Sequence, residues 1–297
     1  MRRSLSNGRK YGSNPDSHRS LDGGQTGLEL CGTAPPAVPG DIQGFIEENP
    51  GGDGTREMNS SWISELVAAA ATPYRAVGCF AWYFARGKLR GDPIFTALLE
   101  RGLIPPQARI HDLGCGQGLL AAWLLAAQSR YVAGDWPRNW PPAPQPTWIH
   151  GIEMMPRDVW RARRALGESA EFVQGDIRTG DFGPADAVVI FDVLHYFDFS
   201  VQDRVLRRVR DSLCPQGVLL LRVGDAAGGL RFLLSYWVDL LVIMARGHRL
   251  RRLYCRSVAD WTGALDALGF TVDALPMSRG TPFANVLLVA RLRKAHG

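Results

Sequence analysis

Paired cysteines, a secretory leader and a dominant charge are all missing from this 297-residue chain. The five cysteines, at positions 31, 79, 115, 214 and 255, are odd in number, and no two stand at CxxC spacing. That argues against a cysteine-based zinc site or a disulfide framework and suits a reducing cytoplasm. Arg2 and Arg3 are followed by polar residues, so no apolar signal region is legible. The formal charge is only +5. Residues 1–57 carry six Lys/Arg against eight Asp/Glu, which leaves +7 on the remainder. An excess that small reads as solvated surface and gives no footprint for nucleic acid. No internal repeat is visible. What is present is a normal core-forming composition, with 46% hydrophobic and 21% charged residues.

Residues 1–58 read as a disordered tail, rich in Gly, Ser, Asn and Pro and poor in periodic apolar residues. Met58 is either the true start of an over-extended reading frame or the boundary of a genuine tail. Asn59, Ser60 and Ser61 look like a helix N-cap. Residues 59–107 then read as a helical cap, with helices over Ser61–Ala71, Pro73–Arg86 and Pro93–Arg101. From 108 to 297 strands and helices alternate, the pattern of a doubly wound α/β fold with a mostly parallel sheet. Strands are expected at 109–113, 147–153, 170–174, 186–191, 217–223, 270–275 and 285–291. Helices are expected at 119–127, 156–166, 200–213, 230–244 and 258–268. Residues 128–146, with five prolines, read as an irregular insertion. The nine-residue link before the last strand suits an edge hairpin.

The segment Ile110-His111-Asp112-Leu113-Gly114-Cys115-Gly116-Gln117-Gly118 carries the chemistry. A strand ends at Asp112, a glycine turn follows, and a helix opens near Leu119. Glycines permit close approach of backbone to ligand, and the helix start presents unpaired N–H groups to an anionic group. A dinucleotide fingerprint would read GxGxxG. Here the spacing is GxGxG with an acid two positions before it, which would repel a pyrophosphate but suits a ligand bearing an ammonium. A plain tight turn is the alternative.

With this turn the chain resembles the class I S-adenosylmethionine-dependent methyltransferase family, over roughly Arg109–Arg291. The resemblance implies a seven-stranded Rossmann-like sheet and S-adenosyl-L-methionine as cofactor. It assigns cofactor contacts to Asp112, Gly114, Cys115, Gly116 and Gly118. Glu153, ending Gly151-Ile152-Glu153, would accept the ribose hydroxyls, as a carboxylate suits two adjacent O–H donors. Met154 would pack on the adenine or simply fill core. Asp135 is a rival for the ribose at more ordinary spacing, but the strand–Pro–helix context favours Glu153. Asp176 would take the adenine amino group or cap a turn, and Ile177 would cover the ring. Asp192 leaves the fourth strand in Phe191-Asp192-Val193-Leu194-His195-Tyr196 and would lie beside the sulfonium. His195 is the candidate general base; its alternative is packing beside the cofactor. No metal site is expected.

The acceptor implied is small and aromatic or lipid-like, methylated on oxygen. The aromatic helix Tyr74–Phe84 and the apolar stretch Leu230–Met244 would line its pocket. Arg246, His248, Arg249, Arg251 and Arg252 follow that stretch, so residues 230–252 could touch the inner membrane peripherally. The segments Phe84–Pro93 and Gly280–Asn285 look like methyltransferases of bacterial aryl polyene pathways. A non-catalytic cofactor-binding relative and a nucleotide-dependent oxidoreductase are the competing readings. No Asn-Pro-Pro-Tyr or Asp-Pro-Pro-Tyr motif follows the fourth strand, which weakens a nucleic-acid substrate.

Overall fold

Successive residues of the central strands point to opposite sides of a sheet, and both sides are apolar here. Ala187 and Val189 of one strand join the core on the first face, while Val188 and Ile190 join the second. A neighbouring strand does the same with Val218 and Leu220 against Leu219 and Leu221. Such strands can only sit between two layers of helix. The computed structural model describes residues 53–224, 253–277 and 285–293, all within the unit Thr33–Gly297.

Strands β1 (Arg109–Leu113), β2 (Trp148–Glu153), β3 (Glu171–Gln174), β4 (Ala185–Phe191), β5 (Leu213–Gly224), β6 (Phe270–Pro276) and β7 (Asn285–Leu292) form one sheet. Its order is β3-β2-β1-β4-β5-β7-β6. The first five are mutually parallel, and β7 runs antiparallel between β5 and β6. The sheet is thus mixed and mostly parallel, and the expected β6–β7 hairpin has its return strand inserted one place inward. Strand order reverses between β1 and β4, so a crevice opens at their carboxyl ends.

Helices α1 (Asp53–Ala71), α2 (Cys79–Gly91), α3 (Pro93–Glu100), α4 (Leu119–Val132) and α5 (Pro156–Leu166) supply residues to the first-face core. Helices α6 (Phe199–Ser212) and α7 (Val258–Ala267) cover the second face with Val205, Leu206, Val209, Trp261 and Leu265. Local caps fix several starts. Asp198 accepts from Val201 N at the head of α6, and Ser257 with Asp260 forms a capping box on α7.

Several boundaries differ from expectation. Helix α1 starts at Asp53, so Asn59, Ser60 and Ser61 lie within it and cap nothing. The expected helix over 73–86 is broken. A 3₁₀ turn at Thr72–Ala76 is followed by Gly78 at φ 130°, where only glycine is comfortable, and α2 starts afresh at Cys79. Helix α4 runs to Val132 and absorbs the first residues of the proline-rich insertion. The rest of that insertion is tied to α1, with Trp136 and Trp140 each edge-on to Trp62 at 5.3 Å. Among the described cysteines Cys79, Cys115 and Cys255 are free thiols. No described helix is long and apolar enough to cross a membrane. The expected helix at 230–244, the basic cluster 246–252, residues 1–52 and most of Gly280–Asn285 lie outside the described residues.

Candidate active site at the β1–β4 crevice

The corner after β1 is built from three left-handed glycines, Gly114 (φ 84°), Gly116 (φ 55°) and Gly118 (φ 81°). Gly114 N and Cys115 N both donate to Ile152 O, at 2.7 and 3.2 Å, which latches the corner to the end of β2. A side chain on Gly114 would meet Val193 Cγ2 at 2.3 Å, so this glycine lets the loops after β1 and β4 touch. Gly151 permits another close approach, since a Cβ there would lie 2.7 Å from Cys115 Sγ. Gly116 differs: nothing lies within 4 Å of where its side chain would project, so the corner opens there. Gly118 occupies the N-cap of α4 without any side-chain cap, leaving the first N–H groups of that helix to other partners.

Two carboxylates border the opening. Glu153 accepts from Gly116 N at 3.0 Å through Oε2 and from Met155 N at 2.8 Å through Oε1. Each oxygen retains a further lone pair, and the two bonds hold the group in one orientation. Asp112 is buried, and that burial, with the nearby charge of Glu153, pushes its pKa up to about 7. A pyrophosphate would add negative charge to this pair, whereas a ligand carrying ammonium and sulfonium groups would relieve it. The cationic cofactor implied by the glycine turn therefore fits the residues present.

Residues of the N-terminal helices, unforeseen in the sequence, brace the corner. Tyr74 Oη donates to Gln117 O at 2.8 Å, and Gln117 Nε2 donates to Ala81 O at 3.0 Å. Both side chains are buried. Their only sequence signal is a glutamine among glycines, which must find partners if buried.

The loop after β4 closes the other side. Asp192 has φ 57°, rare for a residue with a side chain. Its carboxylate forms a two-pronged ion pair with Arg222 of β5. Arg222 also reaches Asp92 at 2.5 Å, and Lys88 reaches Asp92 at 2.9 Å. Asp92 in addition caps α3 by accepting from Ile94 N. A lone arginine in the apolar run Val218–Val223 was the available sign that a buried acid had to exist. His195 lies on a 3₁₀ turn, Leu194–Tyr196, and borders a small cavity with Leu194, Arg222, Val223, Gly224, Cys255 and Trp261. Burial lowers its pKa, a shift that Asp192 opposes. Gln202, fully buried, donates to Leu194 O, Phe197 O and Tyr254 O and ties this turn to the chain before α7.

The remaining candidate contacts lie as follows. Met154 is 52% exposed beyond Glu153. Asp176 heads a turn, accepting Arg178 N through its side chain and pairing with the Arg178 guanidinium, which holds its pKa below the usual carboxylate range. Ile177 is buried in the second-face core. Asp135 sits past the far end of the 14-residue helix α4, about 20 Å from the corner at 1.5 Å per residue. There it accepts from Trp62 Nε1 and pairs with Arg130. Among the described residues no cluster of His, Cys, Asp or Glu could hold a metal ion.

Residues 111–219 match a methyltransferase domain family. A carboxy-S-adenosyl-L-methionine synthase from Chromohalobacter salexigens is 32% identical over 119 residues, 38% of this chain. The match spans only 39% of that relative's length. An O-methyltransferase family protein from Burkholderia thailandensis shares the fold with TM-score 0.51 and 20% identity, over 75% of this chain and 63% of that one. An O-methyltransferase family 2 protein from Planctomyces limnophilus, solved with apigenin, shares it with TM-score 0.50 and 18% identity, over 71% and 60%. The strand order, the glycine corner and the methyltransferase domain matched over residues 111–219 together support a class I S-adenosylmethionine-dependent methyltransferase.

Proposed function

We propose that this chain transfers the methyl group of S-adenosyl-L-methionine to an oxygen atom of a small aromatic or lipid-like acceptor. The observation that supports it most is the open glycine at position 116 bordered by Asp112 and Glu153. In this reading the glycine corner and the start of α4 receive the cofactor's carboxylate, Asp112 its ammonium, and Glu153 its ribose hydroxyls. The sulfonium supplies an already activated methyl group. The protein's task is then to hold the acceptor in line and keep water out. His195 borders the cavity on the β4 side and burial favours its neutral form, so it can take the acceptor's hydroxyl proton. A hydroxyaryl group on a hydrophobic chain suits the resemblance of Phe84–Pro93 to the aryl polyene pathway enzymes. The relative that binds apigenin supports an aromatic acceptor by analogy.

Labelled cofactor incubated with the enzyme and a host lipid extract is expected to yield a methylated, mass-identified product. His195→Ala should lower turnover by about 10²–10³-fold and leave cofactor affinity unchanged. Full turnover in that variant removes the base role. Binding of cofactor without any product from wild-type protein would favour the non-catalytic reading.

Cofactor affinity should depend on pH through Asp112. Below about pH 7 the free enzyme holds a proton on this group. An ammonium ligand needs the carboxylate, so binding there must expel that proton. Affinity should therefore rise by up to ~tenfold per pH unit as pH climbs to 7, then level off. Titration calorimetry in buffers of different ionisation heat would detect the released proton. A flat profile would place the ammonium elsewhere.

A further inference from the structure

Helix α2 turns its small side inward and its aromatic side outward. Ala81, Ala85 and Leu89 are buried, while Phe80 and Tyr83 are each 65% exposed and Phe84 is 40% exposed. Positions 80, 83 and 84 share one helical face. Single exposed apolar residues are ordinary, but three adjacent rings form a patch that marks a contact surface. The charge on α2 itself has one sign. From Leu66 to Gly91 there is no acidic residue, against Arg75, Arg86, Lys88 and Arg90. Lys88 is committed to Asp92, but Arg75, Arg86 and Arg90 form no ion pair among the described residues. Helix α5 extends the theme. Its Arg161 guanidinium, paired with Asp158 at 2.8 Å, lies 4.9 Å over the Phe80 ring, and its exposed Trp160 stands between Arg157 and Arg164.

We propose that this face of α2 and α5 is a docking surface for an anionic lipid bilayer. Aromatic rings seat at the boundary between head groups and acyl chains, and unpaired guanidinium groups meet lipid phosphates. A helix of 13 residues, about 20 Å long, can lie in that plane without crossing it. Two other occupants fit less well. A second copy of the chain meeting this face symmetrically would bring like charges together. A nucleic acid needs ring faces on which bases stack, yet Phe80 and Phe84 stack on each other, 6.1 Å apart and 13° from parallel. The proposal does not rest on the methyl-transfer reading, and its test requires no methyl acceptor.

The full chain is expected to float with vesicles of phosphatidylcholine mixed with phosphatidylglycerol, to release in high salt, and to ignore phosphatidylcholine alone. Combined Phe80→Ser, Tyr83→Ser and Phe84→Ser substitutions should weaken partitioning by at least ~tenfold. Arg86→Glu with Arg90→Glu should do the same. All these side chains are exposed, so thermal unfolding should match wild type and exclude loss of fold as the cause. Undiminished vesicle binding by both variants would place the contact elsewhere and overturn the proposal. Equal binding to neutral vesicles would overturn it too. So would a dimer, or a complex with a single-stranded oligonucleotide, that the triple variant loses.

Discussion

Gly116→Arg is expected to abolish S-adenosyl-L-methionine binding, with a loss of more than ~100-fold in affinity, while the protein stays folded. The two halves of that result have different causes. The fold survives because a side chain at 116 meets nothing within 4 Å. Only the left-handed backbone at φ 55° penalises it, by about 1–2 kcal/mol. That corresponds to a fall in Tm of several degrees in a domain of this size. Binding fails because the new side chain fills the opening and sets its guanidinium beside Asp112 and Glu153, where the cofactor's own cationic groups would sit. Gly114→Ala makes the informative contrast. Its Cβ would press on Val193 Cγ2 at 2.3 Å, so it should disturb the loops themselves and lower Tm more than Gly116→Arg despite being far smaller. Calorimetry and thermal unfolding of both variants check this. Undiminished binding in Gly116→Arg would mean that the cofactor does not use the corner.

The second large effect is on stability. Arg222→Met should cost about 3–5 kcal/mol, because it strips Asp92 and Asp192 of a shared buried cation. In a domain of this size that lowers Tm by roughly 10 °C. The pH dependence identifies the cause. Burial raises the pKa of Asp92, but Arg222 and Lys88 more than offset this and hold it below the ordinary carboxylate value. In the wild type the stabilisation is therefore present above about pH 4 and is lost as pH falls through the lowered pKa. In the variant only Lys88 is left to oppose burial, and the carboxyl takes up a proton more readily than in the wild type. The gap between variant and wild type should consequently be widest near neutral pH and shrink toward pH 4. Denaturant unfolding across that range measures it, and a gap independent of pH would assign the loss to packing alone. Arg222 also supports the left-handed Asp192 that leads into Leu194 and His195, so turnover should fall along with stability.

The amino-acid sequence by itself determined the elements and the corner. Strand β1 and helix α5 fall where the sequence reading placed them, because period-two and helical apolar patterns, and a proline at the first helical turn, are local properties. Glycines spaced GxGxG after Asp112 required a tight turn, and Glu153 ended a strand that must lie nearby in a parallel sheet. Tertiary structure alone decided the partners. Tyr74 meets Gln117 43 residues away, and Arg222 meets Asp192 and Asp92 at separations of 30 and 130 residues. It also decided where β7 inserts, and that Asp135 lies with Trp62 and Arg130 at the far end of α4. The physical reason is one of range. Backbone preference and hydrophobic period act over a few residues, whereas a buried charge or amide accepts any suitably placed partner, and only the packed chain selects which one arrives.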